Sequence, residues 1–303
     1  MIDLIGLFLN NLLPIFLAAG AGYLLARWLP VETRTLSNIV FYIFSPCLVF
    51  SLLINSQLSN SDLVGMLLFA LLSFALVGIL AWAIGRGLKF ERKMLAAVVT
   101  SSMFMNAGNY GLPVTKFAFG DNALAYASLF FVANSIMINT GGVVISSMGS
   151  ATFSTAIKNL FKIPTLYGLI LAALVINFGW RLPLPLERAT QLLGDAAIPT
   201  MMVLLGVQFH SMHLGGKILP LSVASGMRLL VSPLIALGLC AAFGLSGAFR
   251  QAAVLESAMP TAVFATILAT QYDNEPSFVS SVVAITTLLS MLTLPPLLAF
   301  LGS

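Results

Sequence analysis

The sequence predicts an all-α polytopic membrane protein with ten transmembrane helices in two inverted five-helix repeats. Three observations lead to this fold class: a very apolar composition, ten apolar runs of membrane-spanning length, and a likeness between the two halves of the chain. The 303 residues are 59% hydrophobic and only 8% charged. Because a soluble domain carries roughly 25% charged residues, most of this surface must face lipid.

Each predicted helix is an apolar run that can cross about 30 Å of hydrocarbon. The runs fall at residues 4–28, 36–54, 63–88, 94–119, 124–148, 160–179, 192–209, 218–243, 251–270 and 278–301. The loops between them are too short for a soluble domain, so residues 1–303 are expected to form a single membrane domain. The first run lacks the basic n-region of a signal peptide, and we therefore interpret it as the first span.

The two halves of the chain, residues 1–150 and 151–303, are predicted to be repeats. The stretch "RWLPVETRTLSNIVFYIFSPCLVFSLLI" resembles "WRLPLPLERATQLLGDAAIPTMMVLLGV", which brings Pro46 near Pro199. Since five is odd, two five-helix units in tandem face opposite ways across the bilayer, as in many secondary transporters. The alternative explanation is the composition that all apolar helices share.

The placement of lysine and arginine predicts that both termini lie on the non-cytoplasmic side. With this orientation, cytoplasmic loops contain the basic residues of 86–93 and 158–162, whereas the opposite loops contain few. Positive charge accumulates in the cytoplasmic loops of membrane proteins. We expect a multi-pass protein of the cytoplasmic (inner) membrane, whose basic residues set its orientation and do not bind nucleic acid.

Two of the predicted helices contain helix-breaking and polar residues near their centres. Span four contains "NAGNYGLP", from Asn106 to Pro113, and span nine contains "ESAMPT", which includes Pro260. Glycine and proline favour non-helical backbone, and a backbone group freed in lipid is costly unless it is paired. Discontinuous helices at equivalent positions of two repeats point to the binding site of a secondary transporter. The alternative is that both prolines only kink packed helices.

We expect the two broken helices to cross and to bind a small anion. An exposed helix start carries partial positive charge and a helix end partial negative charge, so a crossing suits an anion beside a cation or proton. The predicted substrate-binding residues are Asn106, Asn109, Tyr110, Pro113, Met259, Pro260, Thr261, Ser45 and Asn134. For a single amide such as Asn134, a hydrogen bond between neighbouring helices is the alternative role.

Two charged residues, Arg228 and Glu256, lie inside predicted spans eight and nine. A charge at the bilayer centre costs about 2.5–3.5 kcal/mol on insertion scales, so each side chain requires a partner or a watery cavity. We expect Arg228 to attract a carboxylate or to support the broken helix. Glu256 is expected to titrate or to hold a coupling cation. A structural ion pair between the two residues is the alternative.

Three stretches of the sequence resemble the auxin efflux carrier family, which includes plant auxin exporters and bacterial malonate- or malate-type permeases. They are "NAGNYGLPVTKFAFGDNALA", "GMRLLVSPLIAL" and "ESAMPTAVFATILATQYDNEPSFVSSVV", in this order. The resemblance implies a scaffold of helices 1, 2, 6 and 7 and a transport domain of helices 3–5 and 8–10. It also implies elevator-type alternating access and a homodimer formed through the scaffold.

The sequence departs from the plant members of that family in ways that leave the substrate open. Plant members have a proline between the two asparagines of the crossover, whereas Asn106 and Asn109 here enclose Ala-Gly. At the position of Glu256 the plant members have an uncharged amide. Auxin is therefore not implied as the substrate.

The predicted function is secondary active transport of small organic anions, namely carboxylates such as malonate, malate or auxin-like acids. The expected coupling ion is H⁺ or Na⁺, with no cofactor and no metal site. A sodium-coupled symporter of a larger organic acid of the bile-acid type is the alternative. We do not expect an enzyme, because no nucleophile lies near a base at matched membrane depth.

Overall fold

The computed structural model describes residues 4–147, 158–212 and 215–302, and within these ranges the chain forms helices and no β-strand. The helices α1 to α11 are, in order, Leu4–Trp28, Thr33–Ile54, Asn60–Gly87, Arg92–Met103, Ala107–Ser146, Pro164–Phe178, Leu184–His210, Ile218–Ala242, Gly247–Ser257, Val263–Gln271 and Pro276–Gly302.

Seven helices in the described ranges are long and apolar enough to cross a membrane, namely α1, α2, α3, α5, α7, α8 and α11. The apolar helix α6 is shorter, with 15 residues. The all-helical, multi-pass prediction is therefore confirmed. Helix α7 begins at Leu184, before the expected residue 192. The prediction began later because the polar residues between 187 and 191 kept this stretch out of the apolar run. An acidic residue in the first turn of α7, Glu187, suits the positive end of the helix dipole.

Helix α5 contains a sharp bend that separates predicted spans four and five. Gly120 leaves the helical conformation, with φ 74° and ψ −166°, so α5 consists of residues 107–119 and 121–146. A positive φ is accessible to glycine at little cost because glycine has no Cβ. The salt bridge between Lys116 and Asp121, with 2.6 Å between Nζ and Oδ1, joins the two sides of this bend.

Helices α1, α2, α6 and α7 approach one another backbone to backbone at glycines. A Cβ atom on Gly206 of α7 would lie 1.7 Å from the carbonyl oxygen of Ala19 of α1. A Cβ atom on Gly168 of α6 would lie 2.6 Å from the carbonyl oxygen of Pro46 of α2. Such approaches are typical of helix packing in membranes, where small residues let backbones come close. We call these four helices the glycine-packed group.

Candidate functional site

Both predicted interruptions are present, although the first is shorter than expected. The helical backbone is interrupted at residues 104–106, between α4 and α5, and at 258–262, between α9 and α10. We call these two segments the crossing. Residues Ala107–Gly111 form a π-helical turn that leads into α5. Pro113 therefore does not break the helix as expected. It lies in the first turn of Leu112–Met137, where its missing N–H costs no hydrogen bond.

The two interruptions lie against each other as a short antiparallel pair. The N–H of Asn106 donates to the carbonyl oxygen of Pro260 at 2.8 Å, and the N–H of Ala262 donates to that of Phe104 at 3.0 Å. These two bonds enclose a single antiparallel β-bridge at the centre of the crossing. Segments separated by more than 150 residues thus satisfy each other's freed backbone groups, as the low-dielectric surroundings require.

Side chains pair the carbonyl oxygens at the end of α4 that have no intrahelical partner. Thr261 Oγ1 donates to the carbonyl of Ser101 at 2.8 Å, and Asn134 Nδ2 donates to that of Met105 at 3.0 Å. The N–H of Thr261 is in turn bonded to Thr286 Oγ1 at 3.1 Å. Thr261 and Asn134 thus hold the crossing together in this conformation.

Arg228 caps the C-terminal ends of both broken helices. Its Nη1 donates to the carbonyl oxygens of Ser102 at 2.8 Å and Met103 at 3.3 Å, at the end of α4. Its Nη2 donates to the carbonyl of Ser257, at the end of α9, and to the hydroxyl of Ser232. A buried cation between two helix C-termini opposes the negative ends of both helix dipoles. The fully buried guanidinium therefore joins the C-terminal ends of both broken helices.

The structure excludes the expected alternative of an ion pair between Arg228 and Glu256. The salt bridges within the described ranges are Lys93–Asp273 and Lys116–Asp121. The physical reason is that backbone carbonyls already surround the guanidinium of Arg228, so it needs no carboxylate partner.

Glu256 is fully buried near the end of α9, against the first turn of α5. Its Oε1 accepts a hydrogen bond from Thr115 Oγ1 at 3.2 Å, and its Oε2 has no hydrogen-bond partner among the described residues. A Cβ atom on Gly111 would lie 2.1 Å from Oε2. Only a glycine at position 111 therefore leaves room for this carboxyl group beside the helix.

The start of α5 is the part of the crossing that keeps unsatisfied donors. The N–H groups of a first helical turn have no intrahelical partners. Beside them the side-chain amide Nδ2 of Asn106 is buried and has no hydrogen-bond partner among the described residues. The carbonyl oxygens of residues 100–106, in contrast, all accept hydrogen bonds. A helix start with free N–H donors and positive dipole is chemically suited to an anion.

The next residues of α5 contact the glycine-packed group. Asn109 Nδ2 donates to Gln208 Oε1 of α7 at 3.2 Å. The ring of Tyr110 lies 5.9 Å from that of Phe16 of α1, and its hydroxyl accepts a hydrogen bond from Ser290 of α11 at 3.1 Å. These contacts place both predicted residues between the crossing and the glycine-packed group. We call this boundary the seam.

A cavity of about 320 Å³ lies on the seam between α1, α7 and α11. Its lining includes Phe16, which contacts Tyr110, and Thr287, which lies one helical turn from Ser290. The remaining lining is mostly aliphatic and aromatic. The cavity thus lies next to Tyr110, at the start of α5, on the side of the glycine-packed group.

Comparison with known proteins decides the family. The family model described as "Membrane transport protein" matches residues 7–298, nearly the whole chain. The chain belongs to this family. It is the auxin efflux carrier family that the motifs around the crossing resemble. The protein is therefore a membrane transporter and not an enzyme.

Individual relatives of this chain are also named as transporters. It is 32% identical, over 87% of each chain, to an uncharacterized transporter of Methanothermobacter thermautotrophicus. It is 28% identical, over 87% of this chain and 88% of the other, to an uncharacterized transporter of Methanocaldococcus jannaschii. It is 26% identical, over 96% of this chain and 95% of the other, to a protein of Rhizobium meliloti named "Putative malonate transporter".

Two further predicted site residues of the transporter are buried in different places. Met259 lies in the second segment of the crossing, residues 258–262, and is fully buried. Ser45 lies on α2, next to the contact of Pro46 with Gly168 of α6, and its hydroxyl has no hydrogen-bond partner among the described residues. Ser45 thus belongs to the glycine-packed group, and no hydrogen bond joins it to the crossing within the described ranges.

Sequence reasoning missed several polar residues that complete the site of the transporter. Thr115 binds the carboxyl group of Glu256, and Ser232 binds the guanidinium of Arg228. Ser232 lies four residues after Arg228, a spacing that places two side chains on the same helix face and could have indicated it. Gln208 also interrupts an apolar run, which was a usable signal.

Proposed function

We propose that this protein is a secondary active transporter of small organic anions, in particular carboxylates. The observation that carries the proposal is the asymmetry of hydrogen bonding at the crossing. The carbonyl oxygens of residues 100–106 are paired, whereas the first turn of α5 and the amide of Asn106 remain as donors without partners among the described residues. A carboxylate would accept those hydrogen bonds and would be stabilised by the helix dipole.

The proposed substrate class is supported by a relative whose name refers to malonate. Malonate, malate and auxin-like acids all present a carboxylate that could bind at the start of α5. The apolar cavity on the seam, about 320 Å³, is the proposed path by which the remainder of the substrate, beyond this carboxylate, reaches the crossing.

We propose that ten membrane crossings form two inverted repeats. Residues 107–119 would continue α4 as the fourth span, and α9 with α10 would form the ninth. The proposal is supported by the pairing of the interruption after α4, in the first half, with the interruption after α9, in the second half. Helices α1, α2, α6 and α7 would be the scaffold, and the remaining helices the transport domain that moves as an elevator.

The proposed orientation places both termini on the non-cytoplasmic side of the inner membrane. It follows from the basic residues of the loops. Two contacts agree with the underlying order of spans, because each joins regions that this order places on the same side of the membrane. Lys93, at the start of α4, is paired with Asp273, in the loop before α11. Asn274 of that loop donates to the carbonyl of Ser146, at the end of α5.

Glu256 is the proposed coupling residue. A carboxylate beside the first turn of α5 competes with an anionic substrate for the same positive helix end. Binding of a proton to Glu256 would remove this competition and would couple the proton to the substrate. The second candidate, a sodium-coupled symporter of a larger organic acid, is favoured by the oxygen pair of Glu256 and Thr115, since hard cations prefer oxygen ligands.

We also propose a homodimer that forms through the scaffold. Helices α6 and α7 present large exposed apolar side chains, among them Leu171, Leu186 and Leu192. Lipid covers such a surface in a monomer, and a second copy covers it in the dimer.

Uptake into proteoliposomes tests the proposed function. Labelled malonate, malate and indole-3-acetate would be offered with and without imposed pH or sodium gradients. We expect saturable uptake of at least one acid, loss of that uptake in Asn106→Ala, and its retention in Asn55→Ala, which alters an exposed amide that bonds only to the nearby carbonyl of Ser51. Absence of saturable uptake of any of these acids by a folded protein would contradict the proposal.

A further inference from the structure

A groove of about 470 Å³ runs between α3, α4 and the end of α5, away from the crossing's polar groups. Its walls are apolar, with Leu95 and Val99 on α4, except for Arg92 at one end. Two wall residues of α3, Ile79 and Trp82, are 64% and 53% exposed. In a chain that spans a membrane, exposed apolar side chains face lipid, so the groove opens toward the acyl chains.

The length of the groove matches one leaflet of the bilayer. Its floor is α4, from Arg92 at the start of the helix to Met103 at the end. At a rise of about 1.5 Å per residue this distance is roughly 16 Å. The hydrocarbon core is about 30 Å thick, so each leaflet contributes about 15 Å. A groove of this length extends from the headgroup level to the depth of the crossing.

Positive charge is concentrated at the Arg92 end of the groove. Arg86 and Lys89, at the end of α3 and in the following turn, are exposed and precede Arg92 by six and three residues, whereas Lys93 is paired with Asp273. Basic residues at the cytoplasmic end of transmembrane helices favour anionic lipid headgroups. Trp82 lies one turn before Arg86, as expected for an aromatic residue near the membrane–water interface.

We propose that this groove binds an anionic phospholipid, with one acyl chain along α4 and the phosphate at Arg92 and its basic neighbours. The assignment to the cytoplasmic leaflet rests on the proposed orientation, whereas the groove itself does not depend on which substrate is carried. The lipid would contact the outer face of α4, whose C-terminal end Arg228 holds at the crossing.

Trp82 provides a direct probe of this site because the chain contains three tryptophans. Replacement of Trp28 and Trp180 by phenylalanine leaves Trp82 as the single tryptophan. The protein would be reconstituted in phosphatidylcholine containing a small fraction of acyl-chain-brominated phosphatidylglycerol or brominated phosphatidylcholine. We expect brominated phosphatidylglycerol to reach half-maximal quenching of Trp82 at a lower mole fraction than brominated phosphatidylcholine. The mole fraction should fall about fivefold for each basic residue that contacts the phosphate.

Matched variants separate a specific site from general lipid contact. Arg92→Gln should reduce the preference for phosphatidylglycerol several-fold, whereas Arg27→Gln, at the end of α1, should keep it. Ala75→Phe should fill the groove and weaken quenching by the anionic lipid, whereas Ala241→Phe, an exposed alanine of α8 outside the groove, should not. Equal quenching by the two brominated lipids, or an unchanged preference in Arg92→Gln, would overturn the proposal. These measurements require no transport, so their failure is distinct from failure of the proposed function.

Discussion

Arg228 and Glu256 are both fully buried, but their surroundings differ. Arg228 donates through Nη1 and Nη2 to three backbone carbonyls and a hydroxyl, and only its Nε has no partner among the described residues, so its charge is spread over fixed dipoles at two helix ends. Glu256 has one hydrogen bond, from Thr115, and one carboxyl oxygen without a partner among the described residues. Because an unpaired buried charge is costly, the first residue is suited to a permanent structural role and the second to a changing one.

Replacement of Arg228 by methionine should destabilise the protein without adding a charge. The carbonyls of Ser102 and Met103 would lose their side-chain donor, whereas that of Ser257 would keep the hydroxyl of Ser232. Each unpaired buried acceptor costs about 1–3 kcal/mol. We expect a marked fall in the melting temperature measured in detergent. Arg228→Lys should have a melting temperature between those of the parent protein and the methionine variant, because an ammonium keeps the charge but lacks the planar fork of donors. A methionine variant as stable as the parent would show that these bonds contribute little.

Replacement of Glu256 by glutamine should separate binding from coupling. The amide keeps the shape of the side chain and removes the group that we propose exchanges a proton or holds sodium. We expect uptake to lose its dependence on the imposed gradient while exchange of substrate across the membrane continues. Thr115→Val, which removes only the hydrogen bond to Glu256, should alter the dependence less. Gradient dependence that is unchanged in the glutamine variant would remove Glu256 from the mechanism.

The sequence indicates the polar site residues better than it indicates their partners. Asn106, Arg228 and Glu256 are visible because they interrupt apolar runs. Their contacts are not visible, because Arg228 bonds to Ser102 across 126 positions of the chain. The alternative of an ion pair between Arg228 and Glu256 is wrong for this reason: two charges in neighbouring spans do not reveal which backbone carbonyls surround them.

At the scale of elements, the decisive feature is where each broken helix stops. The expected first break covered residues 106–113, whereas the observed interruption covers residues 104–106. Local composition marks the region because glycine and proline are rare in stable helix interiors. It does not fix the boundary, because Pro113 is favoured in a first turn and can start a helix. The second break, at 258–262, follows its proline more closely.

Gly111 tests whether the start of α5 must fit the carboxyl group of Glu256. An added Cβ would lie 2.1 Å from Oε2, too close for any unmoved structure. We expect Gly111→Ala to lower the free energy of unfolding by roughly 1–3 kcal/mol, typical of overpacking, and to reduce transport. The control is Gly226→Ala in α8, where no atom lies within 4 Å of the added Cβ. Equal stability of both variants would contradict the described contact.

At the scale of the whole molecule, the seam separates two sets of helices with different packing. The glycine-packed group is joined by backbone contacts at Gly22, Gly168 and Gly206, whereas the seam has side-chain contacts such as Asn109 with Gln208. Side-chain contacts can be exchanged for others during sliding more easily than close backbone contacts. This difference agrees with a fixed scaffold and a moving crossing. The glycine contacts were not predictable, since sequence alone does not reveal which helices are neighbours.

Two engineered disulfides distinguish movement of the two broken helices against the glycine-packed group from movement of the two broken helices against each other. Met105→Cys with Thr261→Cys joins the two residues of the antiparallel bridge, whose Cα atoms are about 4.5 Å apart in such a pair, within disulfide range. Asn109→Cys with Gln208→Cys joins the start of α5 to the glycine-packed group across the seam. Both pairs would be placed in a background without the free cysteines Cys47 and Cys240.

The most direct test of the central claim is substrate exchange by these two oxidised proteins in proteoliposomes, with the acid identified in the uptake screen. We expect exchange to continue when the bridge is locked, because the two broken helices move as one body. Exchange should stop when the seam is locked and should return after reduction. Unaltered exchange with the seam locked, or failure of the bridge cysteines to form a disulfide, would contradict the account.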